Sequence, residues 1–190
     1  MTRLSMLAFC WGFAEATVFF VVPDVCLSFI ALDSFSGAFQ ASLFSLAGAL
    51  LGGSVMYCLG RRAPGTARSL LERIPAISPV SVDLVESDVV ALGGRAIVLG
   101  PLKGIPYKIY AVECGALRRS FLRFALVSIP ARYPRFLLSV LAAAALRAFI
   151  TPYVLCAIWL TFYIFYFWRF DSLRDNTTSS DKSCMRDSRL

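Results

Sequence analysis

Residues 35–60 carry no charged side chain, a run longer than the roughly 20 apolar residues with which an α-helix crosses a bilayer. Most of the chain is built in the same way. Of its 190 residues 58% are hydrophobic, 16 are Phe and none is His. Such a composition belongs to a polytopic membrane protein rather than to a soluble domain of equal length. In a chain of this kind the charges within apolar stretches are the informative residues. Lys103, Lys108, Glu113, Arg132 and Arg135 lie inside or against such stretches, beside Gly and Pro. They fall in Gly100-Pro101-Leu102-Lys103-Gly104-Ile105-Pro106-Tyr107-Lys108 and in Ile129-Pro130-Ala131-Arg132-Tyr133-Pro134-Arg135. Charge at membrane depth is expensive, so the default reading is a membrane-depth site that handles something charged.

The order of the segments suggests an all-α polytopic membrane protein with an inverted-repeat-like plan. Residues 4–32 are apolar but interrupted by Glu15 and by Pro23-Asp24, which reads as a broken, re-entrant segment. Residues 35–60 form a span, in which Gly48 and Gly52 make a small-xxx-small pair suited to close helix contact. Residues 61–92 mix Arg61, Arg62, Arg68, Glu72, Arg73, Asp83, Glu86 and Asp88 with apolar residues and three prolines. They read as a connector of short amphipathic helices on the membrane interface. A second Gly- and Pro-rich broken segment, 93–117, precedes a span at 120–146, which Pro130 and Pro134 break or kink. A third span covers 149–168. These pieces make one transmembrane domain over residues 1–168, followed by a polar, Ser-rich and disordered tail at 169–190.

A re-entrant segment leaves on the side it entered, whereas a span crosses. Two re-entrant hairpins and about three spans therefore bring the broken segments in from opposite faces, to meet at the midplane. The formal charge of +7 falls largely between apolar runs and suits positive loops facing an anionic cytoplasmic leaflet better than it suits nucleic acid. This puts the connector, the Arg118-Arg119-Arg123 turn and the C-terminus in the cytoplasm. If residues 4–32 span instead, only the side of the N-terminus changes. Arg3 and Ala14-Glu15-Ala16 imitate a signal peptide, but the apolar run continues through Val22, so no cleavage is expected. The six scattered cysteines contain no C-x-x-C pair and, without His, make no usual metal pattern.

A set of motifs leads to a family. Phe13-x-Glu15, Pro23-Asp24, Gly52-x-x-x-x-Tyr57-x-x-Gly60-Arg61, Gly100-Pro101-x-x-x-x-Pro106-Tyr107-Lys108, Gly115 and Arg132-x-x-Arg135 resemble the DedA, or VTT-domain, membrane proteins, in particular a short bacterial branch with a Pro-Tyr-Lys signature. The resemblance covers roughly residues 9–145. It implies two re-entrant hairpins facing each other, and translocation of phosphorylated polyprenol carriers or phospholipids, in some members tied to the proton-motive force. It also implies the bacterial inner membrane. Glu15 and Asp24 match the acidic positions of the first hairpin, and Arg132 and Arg135 the arginines after the second. The chain departs from larger relatives in having Pro23-Asp24 where many carry Pro-Gly-Glu, and in placing Lys103 and Lys108 in the second hairpin.

The same residues support the chemistry without the family. A lipid phosphate entering a low-dielectric cavity needs cations in place of its water. Arg offers planar bidentate donors and Lys a point charge. Lys103, Lys108, Arg132 and Arg135 are therefore the candidate substrate-binding residues. Glu15 and Asp24 are the candidate proton-coupling carboxylates, since burial favours the neutral form of an acid. Pro23, Gly100, Pro101, Gly104 and Pro106 are expected to shape the hairpins. The alternative is that the cations snorkel to the interface or pair with Glu113 and Asp24, while the carboxylates only balance charge. The chain shows no G-x-S-x-G elbow and no H-E-x-x-H motif, so an enzyme is not expected, nor a metal or cofactor. The expectation is a flippase-like transporter of phosphate-bearing lipid, with self-association left open. Its alternative is a non-transporting membrane scaffold.

Overall fold

The computed structural model describes residues 3–19, 21–74 and 77–165, and among them it is all helix and turn, with no strand. The residues fall into two units, 1–149 and 150–190. In the first, α1 (Arg3–Thr17) and α2 (Asp24–Asp33) are separated by a break, and α3 (Phe35–Arg62) follows at once. Short helices α4 (Pro64–Glu72), α5 (Pro79–Leu92) and α6 (Arg95–Leu99) come next, then a 3-10 turn (Gly100–Lys103), α7 (Tyr107–Ala116) and α8 (Phe121–Leu146). In the second unit a short apolar helix, α9 (Pro152–Phe165), carries Trp159 edge-on to Phe162. The last three residues of the expected third span and the whole 169–190 tail lie outside the described residues.

Local chemistry sets the ends of these helices. Ser34, the single residue between α2 and α3, is extended and its side chain accepts from the Gly37 N–H at 3.1 Å, which starts α3. Pro64 and Pro79 occupy the first turns of α4 and α5, where a missing N–H costs nothing. Gly104 takes a φ of +71° to end the 3-10 turn, and Pro106 (φ −60°, ψ 131°) resets the chain for α7. Pro130 and Pro134 do not break α8, which continues through both to Leu146. Both prolines sit on its exposed face, away from the packed one. Among the described residues two helices, α3 and α8, are long and apolar enough to cross a membrane.

Small residues on α3 decide how the first unit packs. The contacts of α1 advance from Gly12–Ser45 to Ala16–Gly52, so α1 and α3 run parallel and α2 is the return leg. Contacts of α7 advance from Gly53–Tyr107 to Gly60–Val112, so α7 is also parallel to α3. The same engagement recurs twelve residues along α3: Ser45 and Gly48 receive Gly12 and Phe9 of α1, and Tyr57 and Gly60 receive Gly115 and Val112 of α7. A Cβ at Gly12, Gly48, Gly60 or Gly115 would overlap a backbone carbonyl of the facing helix. α8 starts beside Tyr57, with Phe121 and Phe124 at ring distances of 5.3 and 5.2 Å, and runs the opposite way.

The α4–α5 connector is tied to α7 through charge. Arg68 donates two hydrogen bonds, at 2.9 and 2.6 Å, to Glu113, which is fully buried, and lies 2.9 Å from Glu86. The Glu113 hydrogen bonds hold the Arg68 guanidinium above its ordinary range against the opposing effect of burial, with Glu86 adding to the rise.

Gly60→Ala is therefore expected to lower stability by about 1–3 kcal/mol through overpacking. Gly65→Ala, which meets nothing within 4 Å, should not lower it. Thermal unfolding of the two variants in nanodiscs checks the contrast.

Candidate functional site

The C-terminal end of α1 and the N-terminal end of α7 converge on adjacent residues of α3. Ala16 rests on Gly52, and the Tyr107 ring on Gly53. Glu15 precedes the first of these contacts and Lys108 follows the second, so the ends of the two broken segments bring an acid and a base to one level. α8 closes the group with Ser128 and Arg132.

Arg132 is the centre of the cluster. Its Nη2 donates to Glu15 Oε2, and both residues are buried. The guanidinium lies 4.4 Å over the Tyr107 ring and 5.6 Å from that of Phe136, an arrangement that stabilises a cation away from water. Tyr107 is itself fixed, because its hydroxyl donates to Ser128 Oγ at 2.8 Å and Ser128 donates to the Phe124 carbonyl at 2.7 Å. The buried Nε–H of Arg132 has no hydrogen-bond partner among the described residues.

Lys108 is buried and donates from Nζ to the Phe19 carbonyl at 2.7 Å. That carbonyl lies just past the end of α1, so the contact ties the two broken segments together across 89 positions of sequence. Asp24, the first residue of α2, is 3.2 Å from Arg135 and accepts from Ser139 Oγ at 2.7 Å. Here the environments differ: the Asp24 side chain is 5% exposed and that of Arg135 44%. Within the group Lys108, Arg132 and Arg135 face Glu15 and Asp24, so three cations against two carboxylates leave one formal positive charge.

The structure thus brings together five of the six charged candidates. The sixth, Lys103, is elsewhere: its Nζ lies 2.8 and 2.6 Å from the two Asp88 oxygens, joining the 3-10 turn to α5. Glu113 pairs with Arg68 rather than with any of these cations. Pro23 precedes α2; Gly100 and Pro101 lie in the 3-10 turn, and Gly104 and Pro106 in the bend before α7. Gly100 also gives room to the Tyr110 ring, which a Cβ there would strike.

The sequence alone marks no role for Tyr107, Ser128, Phe136 or Ser139. The available signal was spacing: Phe124, Ser128, Arg132, Arg135, Phe136 and Ser139 recur every three or four residues and so share one face of α8.

An all-helical unit with two helices of membrane length and buried charge between its helices has the features of an integral membrane protein, and the family match below agrees with them. A family model described as the VTT domain matches residues 22–145, and the chain belongs to that family. Its members are membrane-associated and commonly linked to lipid transport or homeostasis. No curated protein and no solved structure matches the chain.

Arg132→Ala or Glu15→Ala alone is expected to cost about 3–5 kcal/mol, because each strands a buried charge. The double replacement Glu15→Leu/Arg132→Met should recover most of that loss. Arg135→Ala should cost less than either, since its side chain is half-exposed and Ser139 still donates to Asp24. Denaturant unfolding of the four variants in detergent micelles measures the differences.

Proposed function

We propose that this protein moves a phosphate-bearing lipid, a phospholipid or a polyprenyl phosphate, between membrane leaflets. The observation that carries the reading is the one surplus positive charge of a group formed where two broken segments converge, buried at Lys108 and Arg132 and open to the surface at Arg135. An anion in that position gains from Lys108, from the unpartnered Nε–H of Arg132 and from the N-terminal end of α7. Arg135, the exposed cation of the group, is the first to meet a head group, and Arg132 the next. Glu15 and Asp24 then compete with the phosphate for the arginines. Protonation of either acid releases its partner, which gives proton coupling a physical form. Lys103, paired with Asp88 away from the group, takes no part in this phosphate site.

In the membrane, we place α1–α2 and the segment from α6 to α7 as re-entrant hairpins from opposite faces. The support is that α1 and α7 both run parallel to α3 and end or begin at the level of Gly52 and Gly53. α3, α8 and a helix containing α9 would be the spans. The arginine-rich end of α3 faces the cytoplasm of a bacterial inner membrane on charge grounds.

The alternative, a non-transporting scaffold, has one observation in its favour. Arg132 and Arg135 already have carboxylate partners, so the charges balance for the most part without a ligand.

Leaflet exchange of fluorescent phosphatidylglycerol and of polyprenyl phosphate in proteoliposomes, with and without a pH gradient, separates the two readings. Transport predicts exchange above that of protein-free vesicles, reduced about tenfold or more in Arg135→Gln, the equivalent of one lost charge-assisted hydrogen bond. No exchange of either lipid by folded protein would favour the scaffold.

A further inference from the structure

Five arginines gather at one end of the first unit, away from the buried cluster. Arg61 and Arg62 end α3, Arg118 and Arg119 form the turn after α7, and Arg123 lies in the first turn of α8. Tyr57 is the node that holds them together. Its hydroxyl donates to the Arg119 carbonyl, Arg61 Nη1 approaches that hydroxyl at 3.4 Å, and its ring packs on Phe121. All five are exposed, and among the described residues none is in an ion pair. Arg119 also donates to the carbonyls of Val89 and Val90, at 3.1 and 3.4 Å, at the end of α5.

Two of these arginines occupy positions that local physics disfavours. The turn after α7 is a Schellman cap, with Arg119 N–H bonded to the Cys114 carbonyl and Arg118 N–H to that of Gly115. Its left-handed residue, which is ordinarily glycine, is Arg118 at φ 51°, the one positive φ outside glycine among the described residues. Arg123 places a cation at the positive end of the α8 dipole, where an acid is preferred. Arg61 and Arg62, by contrast, complement the C-terminal end of α3 and need no further reason. Local rules broken twice in one patch point to a use for the charge itself.

We propose that this patch is a binding surface for the head groups of anionic phospholipids, separate from the buried cluster. The position selects the partner. The arginines stand at the end of α3 and the start of α8, the two membrane-length helices, and the exposed Phe121 and Leu122 lie among them. Guanidinium groups beside exposed apolar side chains at a helix end match the chemistry of a phosphate-bearing interface. The inference holds whether or not the protein transports lipid.

The test uses the full chain in phosphatidylcholine nanodiscs, with and without a minor fraction of phosphatidylglycerol. Thermal unfolding and the phosphatidylglycerol retained on purification are both read. Arg118→Gly relieves the backbone, so it should unfold at a higher temperature in pure phosphatidylcholine. It should nonetheless lose affinity for phosphatidylglycerol about fivefold, the share of one arginine at a charged surface. Arg123→Gln should lose a similar factor. Arg73→Gln removes the same formal charge from the exposed end of α4 and should leave retention unchanged. Equal retention by Arg118→Gly and the native chain, no preference of the native chain for phosphatidylglycerol, or an equal loss in Arg73→Gln would each overturn the proposal.

Discussion

Direct backbone contact along α3 is the constraint on which the rest of the first unit depends. Glycines at 48, 52, 53 and 60, answered by Gly12 on α1 and Gly115 on α7, let two helices approach until carbonyls meet Cα hydrogens. Lipid offers little hydrophobic reward for pairing one apolar helix with another, so close packing must supply the attraction. A methyl group at these contacts would push α1 and α7 outward. The ends of the two broken segments would then not reach the same level of α3, and the contact of Lys108 with the Phe19 carbonyl could not form.

Electrostatics then makes that meeting point specific. In a low-dielectric interior an unpaired charge is far costlier than at the surface, so Glu15 and Arg132 each require the other. The aromatic faces of Tyr107 and Phe136 take over part of the role of water around the guanidinium. α7 is held at both ends by this logic, through Lys108 and Tyr107 near the cluster and through Glu113 at the Arg68 contact. A shift of the connector away from α7 would leave Glu113 buried without Arg68, at the same kind of cost. Asp24 and Arg135 differ in kind: one partner is buried and the other half-exposed, so this pair separates more readily than its neighbour.

Much of the fold was legible because helices in apolar surroundings obey local rules. Breaks fall at Pro23 and between Gly100 and Pro106, where proline removes a donor and glycine permits a left-handed turn. Where the same reasoning expected a break at Pro130 or Pro134 it misled, because α8 continues through both prolines, which lie on its exposed face. Lys103 misled it too: five residues from Lys108 and in the same motif, it turns to Asp88, whose nearness no sequence spacing reveals. Tyr107 stood in plain view as a motif letter, yet its place beneath Arg132 depends on the crossing of α7 and α8.

The sequence by itself determined the class of protein: long uncharged runs, helix ends marked by Ser, Pro and Gly, and a few charges set within apolar stretches. These follow from the chain and its solvent, without reference to distant residues. Only the tertiary structure decided the partners, matching Glu15 with Arg132, Asp24 with Arg135, Glu113 with Arg68 and Lys103 with Asp88. Coulomb attraction acts over a few ångströms, whereas Glu15 and Arg132 are 117 positions apart. The packing of helix backbones on the glycines of α3 is what converts that separation into contact.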